Sequence, residues 1–96
     1  MPTSEDYFKF VLEFLSDIDG ITYRKMMGEY IIYLRGKVVG GVYDNRFLIK
    51  RTKSAEEFCI SCGKVLPTEL PYANGKEMFV ADLDDFEFTK SVLEKI

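Results

Sequence analysis

The only two cysteines of the chain, Cys59 and Cys62, stand as C-x-x-C in the stretch EEFCISCG. This spacing occurs in redox dithiols and in half of a zinc site, and it also fits two small apolar side chains in a packed helix. Residues three apart share one face of a helix, so the two thiols could form a bridge or bind a metal together.

The residues around the C-x-x-C pair favour unreactive thiols. Ser54 and Glu57 form a capping-box pattern that predicts the start of a short helix, and Gly63 predicts its end. Reactive cysteines gain acidity at a helix N-terminus, whereas these lie near the C-terminal end with Glu56 and Glu57 just upstream. Both features raise a thiol pKa. A zinc site would need two more ligands, from carboxylates or from a second copy of the chain.

Other catalytic chemistry has little support in the sequence. The chain has no histidine, which excludes the commonest general base and every Ser-His or Cys-His nucleophile pair. Asp82, Asp84 and Asp85 could bind a cation, but acids at a helix N-terminus explain them equally well. Met26 and Met27, beside Gly28, are interpreted as core and turn. We predict no catalysis, no metal and no cofactor.

The charged residues divide the chain into three parts. Residues 1–20 carry a charge of -4, residues 21–53 carry +6, and residues 54–96 carry -5. The basic part could form an anion-binding or partner-binding face, with Tyr33 or Tyr43 available to stack on a base. The alternative is that its cations pair with acidic helices. The candidate binding residues are Arg24, Tyr33, Arg35, Lys37, Arg46, Lys50, Arg51 and Lys53.

Length and composition predict one small globular domain. The chain has 96 residues, of which 47% are apolar and 30% are charged. Its first residues are acidic where a secretory signal would be basic, and no apolar run approaches the ~20 residues of a membrane span. We therefore expect a cytoplasmic protein whose residues 1–96 form a single domain.

The hydrophobic pattern predicts the elements that position these residues. A helix over residues 3–17, capped by Thr3, places apolar residues at three- and four-residue steps. Four runs of β-branched and aromatic residues, separated by Gly28, Gly36 and Asp44-Asn45, predict four strands in an antiparallel meander. Residues 77–83 are predicted to form a fifth strand. Residues 64–76 are predicted to be a loop. Asp84 is predicted to cap a last helix. The predicted order is αββββ(α)βα, an α+β fold of helices on a mostly antiparallel five-stranded sheet.

The central segment RKMMGEY, followed by IIYLRGKVVGGVYDNRFLIK, resembles the N-terminal domain of the TfoX/Sxy family. A second block similar to the family is Pro71-Tyr72 with GKEMF at residues 75–79. The chain departs from the family pattern at Met27, at Glu29 and in its C-x-x-C pair. The matching residues of the first block are Arg24, Met26, Gly28, Tyr33, Gly36, Lys37 and Lys50.

The resemblance implies an α+β domain that pairs through its sheet, and hence a homodimer or a protein-binding surface. Longer family members have a second, C-terminal domain and regulate transcription for natural competence together with the cyclic-AMP receptor protein. We therefore expect a small cytoplasmic regulatory or adaptor domain that acts through protein–protein contacts, with the transcription machinery as one candidate partner. The alternative is binding of DNA or another polyanion through residues 21–53.

Overall fold

The fold is seen in a computed structural model that describes residues 3–96. In chain order the described elements are α1 (Glu5–Phe14), β1 (Ile21–Met26), β2 (Glu29–Leu34), β3 (Lys37–Tyr43), β4 (Arg46–Ile49), α2 (Lys53–Ser61), β5 (Thr68–Glu69), β6 (Met78–Val80) and α3 (Phe86–Glu94). All neighbouring strands are antiparallel, in the order β1-β2-β3-β4-β6-β5. The predicted α+β class is confirmed, but the sheet has six strands rather than five. The extra strand is β5, which lies inside the predicted loop and pairs with β6.

Two-residue turns connect the first four strands. Both residues of each turn, Met27-Gly28, Arg35-Gly36 and Asp44-Asn45, have positive φ angles between 50° and 83°. Turns of this kind match the right-handed twist of paired strands, which is why they favour Gly, Asn and Asp. The meander predicted from these residues is therefore confirmed.

The sheet has one face packed on the helices and one face turned away from them. Tyr30, Ile32 and Leu34 of β2 are buried in the core, whereas Ile31 and Tyr33 on the opposite face are half-buried. This alternation is the one that the sequence predicts. We call the face of Ile31 and Tyr33 the open face.

The helices cover the other face with apolar side chains. From α1 and the turn after it, Phe8, Val11, Leu15 and Ile18 are buried, as the helical periodicity predicts. Phe8 stacks on Tyr30, with ring centroids 3.5 Å apart. Such aromatic contacts supply much of the burial that a small domain needs. No helix among residues 3–96 is both long enough and apolar enough to span a membrane.

β3 contains a β-bulge and, directly after it, a glycine at a close approach to β4. The register shifts between Ile32 and Tyr33, so Val39 is an extra residue on β3 and turns into the core. At Gly40 a Cβ atom would lie 2.2 Å from the backbone oxygen of Leu48. Only glycine fits there.

The N-cap prediction for α1 is wrong by one residue. Ser4 is the N-cap and its hydroxyl accepts a hydrogen bond from Tyr7 N, whereas Thr3 is buried. The Thr3 hydroxyl instead hydrogen-bonds to Glu29 and to the Val42 carbonyl. Thr3 therefore makes long-range hydrogen bonds instead of capping α1. At its other end α1 stops at Phe14, before the predicted position 17.

The caps of the other two helices also differ from prediction. Thr52, not Ser54, caps α2 by accepting from Ala55 N, and Asp85, not Asp84, caps α3. In each case two residues within one or two positions of each other could serve as the cap, and local sequence does not decide between them.

Candidate binding groove on the open face of the sheet

A groove of 660 Å³ crosses the open face at the end of the sheet that carries the β1–β2 and β3–β4 turns. The β1–β2 turn lies on one side and the loop after β5 on the other. We call it the open-face groove. Its apolar lining includes Met26, Met27, Ile31, Tyr43, Leu70 and Tyr72.

Arg46 holds the loop that forms one wall of the groove. Its guanidinium donates to Glu69 Oε1 at 2.8 Å, to the Leu70 carbonyl at 3.0 Å and to the Pro71 carbonyl at 3.3 Å. Its Nε also donates to the Tyr43 carbonyl at 3.2 Å. One side chain thus ties the loop to the end of β3.

Glu29 organises the end of the groove at the β3–β4 turn. Its Oε2 accepts from the Thr3 hydroxyl at 3.0 Å and from the Asp44 backbone N–H at 2.9 Å. These bonds join the start of α1 to the β3–β4 turn. The exposed Asp44 lies beside Glu29 in the lining, so this end of the groove is acidic.

Tyr43 gives the groove a polar group inside its apolar lining. Its ring lies over Gly41, where a Cβ atom would be 2.7 Å from Cε2 of Tyr43, and it meets the Tyr72 ring at 67° with centroids 6.5 Å apart. Burial, followed by the nearby Tyr72 and Glu29, raises the pKa of Tyr43 above its usual value. The hydroxyl therefore stays protonated near neutral pH and can donate a hydrogen bond.

Several apolar side chains of the groove are open to solvent. Met27 is 97% exposed, Tyr72 63%, and Met26 and Leu70 are each more than 40% exposed. Clustered apolar exposure of this kind marks binding surfaces more often than single exposed residues do. The groove can therefore take apolar side chains of a partner, with a cation at its acidic end.

One known protein is similar to this chain over most of its length. The uncharacterised 12.7 kDa protein in the trpE 5′ region of Spirochaeta aurantia is 34% identical over 84 residues, which cover 85% of this chain and 68% of that protein. The chain belongs to the family of this spirochaete protein. No protein-family model matches the chain, and the resemblance to the TfoX/Sxy family stays a prediction.

Tyr33 and Arg46 are half-buried, whereas the other candidate binding residues are exposed: Arg24, Arg35, Lys37, Lys50, Arg51 and Lys53. Arg24 of β1 and Tyr33 of β2 lie on the open face, where Arg24 pairs with Ile31. Arg35 lies in the β2–β3 turn, and Lys50 follows β4. Three strand spacings of about 4.8 Å separate β1 from β4, so Arg24 and Lys50 do not form one compact cluster.

Three of the other candidate cations, Lys37, Arg46 and Arg51, have partners within the domain. Lys37 Nζ donates to the Ile96 carbonyl, and Arg46 holds the groove wall. Arg51 donates to Glu56 at 3.0 Å, and this hydrogen bond lowers the pKa of the Glu56 carboxyl. Pairing with an acidic helix, the alternative that the sequence leaves open, is therefore observed for Arg51. Lys53 is exposed in the first turn of α2.

The groove residues were missed because their sequence context suggests other roles. Met27 lies in a turn, as predicted, but Met26 is exposed, so the interpretation as a core residue is wrong for Met26. Leu70 and Tyr72 lie in a proline-containing stretch that is typical of a loop. The one available signal is the pair of large apolar residues immediately before Gly28.

The cysteines differ in their surroundings. Cys59 is buried and Cys62 is exposed, and both are free thiols. Burial, then Cys62 and Glu56, raises the pKa of Cys59, as predicted for this position. Among residues 3–96 no three His, Cys, Asp or Glu side chains are grouped so that they could hold a metal.

The acids before α3 bind the side chain of Lys64. Lys64 Nζ donates to Asp82 at 2.6 Å and to Asp85 at 3.1 Å. Asp85 also caps α3 through Phe88 N. The capping interpretation of this acidic run is therefore correct for Asp85.

Proposed function

We propose that this chain is a small, non-catalytic regulatory or adaptor domain of TfoX type that works in the cytoplasm by binding another protein. The observation that carries the proposal is the open-face groove, where exposed Met and aromatic side chains surround a concave site. The transcription machinery is the class of partner that the TfoX resemblance suggests.

The ligand that fits the groove is an apolar peptide segment with a neighbouring Lys or Arg. Met26, Met27, Leu70 and Tyr72 present adaptable apolar surface, and methionine is common at surfaces that bind protein segments. Glu29 and Asp44 add negative charge at one end, whereas Arg46 is neutralised by Glu69. Charge complementarity therefore favours a basic residue in the bound segment.

The groove volume is consistent with this ligand. At 660 Å³ it lies within the ~300–1,000 Å³ typical of small-ligand pockets, so it can enclose a few side chains rather than a whole helix.

Selection of peptides from a random library tests the groove. The wild-type domain should enrich sequences that combine apolar residues with Lys or Arg. The Met27→Asp variant should no longer enrich these peptides, because the substitution puts a charge on the apolar rim of the groove. Val65→Asp is the matched control, since Val65 is 92% exposed and lies outside the groove lining.

The two variants decide between a groove and non-specific adhesion. If Met27→Asp retains the enriched peptides as well as Val65→Asp does, the groove is not the binding site. If no peptide is enriched by the wild-type domain, the proposed peptide ligand is wrong.

Binding of a polyanion is the second candidate function. Arg24, Arg35 and Lys50 are exposed, and within residues 3–96 they form no ion pair. If they bind nucleic acid, affinity should fall steeply with salt, and Arg35→Ala with Lys50→Ala should reduce it. Absence of binding at low salt would refute this alternative. Homodimerisation stays a prediction, which light scattering can measure.

A further inference from the structure

β1 forms one edge of the sheet. It pairs with β2 on one side, and the sheet order places no described strand on the other. Five of its six residues are exposed. An edge strand presents backbone N–H and C=O groups that can pair with another chain.

The register identifies which groups of β1 are free to do so. Arg35 N donates to Gly20 O at 2.8 Å, and these two residues continue the pairing of Ile21 with Leu34. Directly opposed residues exchange hydrogen bonds only at alternate positions of an antiparallel pair. Thr22, Arg24 and Met26 therefore bond to β2, and the N–H and C=O groups of Ile21, Tyr23 and Lys25 point outward.

A cleft of 480 Å³ runs beside this edge, on the helix side of the sheet. We call it the edge cleft. Its apolar lining includes Phe8 and Leu12 of α1, with Tyr23 and Tyr30 of the sheet. The Phe8 and Tyr23 rings meet edge to face at 4.8 Å. Alternate side chains of an added strand would enter this cleft, because side chains alternate between the two faces of a sheet.

The charges around the edge select the partner. Lys9 and Lys25 line the cleft together with Glu5, and Arg24 projects on the opposite face of β1. A second copy would bring its own Arg24 and Lys25 against this edge, and such edge cations disfavour self-pairing. An acidic strand, in contrast, is attracted to them.

We propose that β1 and the edge cleft bind an extended peptide that adds a seventh strand to the sheet, with apolar residues alternating with Asp or Glu. Its backbone pairs with Ile21, Tyr23 and Lys25, its apolar side chains pack in the edge cleft beside the stems of Lys9 and Lys25, and its acids lie on the opposite face, beside Arg24. This mode is β-augmentation. The site is separate from the open-face groove, so an adaptor could hold two different segments at once.

The test uses a synthetic peptide of alternating Glu and Val residues, with a peptide of the same composition but blocked order as control. Fluorescence anisotropy measures its affinity for the Lys25→Ala and Lys25→Pro variants. Both lose the charge, but only Lys25→Pro loses the outward N–H, which β2 does not use. Lys25→Pro should bind about tenfold more weakly than Lys25→Ala.

Amide hydrogen exchange of the wild-type domain gives a readout that does not depend on the folding of a variant. The peptide should slow exchange at Ile21, Tyr23 and Lys25 but not at residues 70–73. Equal affinities of folded Lys25→Ala and Lys25→Pro, or protection only at residues 70–73, would overturn the proposal. Equal binding of the alternating and blocked peptides would also overturn it. The peptide library result at the groove is independent of all these outcomes.

Discussion

Replacement of Arg46 by methionine tests whether one side chain holds the groove wall. Methionine keeps an unbranched apolar stem of similar length and removes the guanidinium. The change deletes the hydrogen bonds to the carbonyl oxygens of Tyr43, Leu70 and Pro71, together with the ion pair to Glu69. The loop should then lose its main attachment to the sheet.

The expected loss follows from the exposure and length of these bonds. The Arg46 side chain is 28% exposed and its bonds to carbonyls are 3.0–3.3 Å long, so each contributes at the low end of about 0.5–1.5 kcal/mol. The Glu69 carboxylate is 47% exposed, and its pair adds about 0.5 kcal/mol. The free energy of unfolding should fall by about 2 kcal/mol.

Urea denaturation measures this loss, and amide exchange of residues 70–76 measures the freeing of the loop. Glu69→Gln should cost about 0.5 kcal/mol, because it removes the charge but leaves the carbonyl bonds. Arg24→Met is the control for loss of a cation at an exposed position, and it should change stability by less than about 0.5 kcal/mol. If Arg46→Met costs no more than Arg24→Met and leaves loop exchange unchanged, Arg46 does not hold the wall.

Three further outcomes follow from the packing and the charges. Gly40→Ala should lower the free energy of unfolding by about 3 kcal/mol, measured with urea, since its Cβ would meet the backbone of β4; a loss below about 1 kcal/mol would contradict the close approach. Cys62 should react with a thiol reagent in the native protein while Cys59 reacts only as the domain opens, so equal rates would be inconsistent with the burial of Cys59. The hydrogen bond from Lys64 holds the pKa of Asp82 below its usual value, so its stabilisation is complete above the ordinary carboxyl pKa of about 4 and is lost as the pH falls below it. Lys64→Met should weaken this acid dependence of the urea midpoint, and an unchanged dependence would exclude the pair as its source.

Sequence patterns were sufficient for the meander and for the inner faces of the helices. The turn residues Gly28 and Gly36 have the positive φ angles that their spacing suggests, and Asp44-Asn45 behaves likewise. These features are local, so a sequence window contains their cause. The same holds for Gly63, which ends α2 with a φ of 68°.

The features that were missed depend on partners distant in the chain. The hydroxyl of Thr3 is used by Glu29, 26 residues away, rather than by α1. Arg46 was a candidate for a binding surface, but its partners lie 23–25 residues later, at the end of β5 and in the loop after it, whose position no local pattern gives. The short strand β5 exists because β6 pairs with it. The groove arises from these same long-range contacts.

The methionine methyl signals in an NMR titration test the central claim most directly. When a library-selected apolar and basic peptide is added, the methyl groups of Met26 and Met27 should shift, because both line the open-face groove. The methyl groups of Val65, which lies outside the lining, should not shift. A peptide that binds without moving the Met26 and Met27 signals would contradict the assignment of the groove as the protein-binding site.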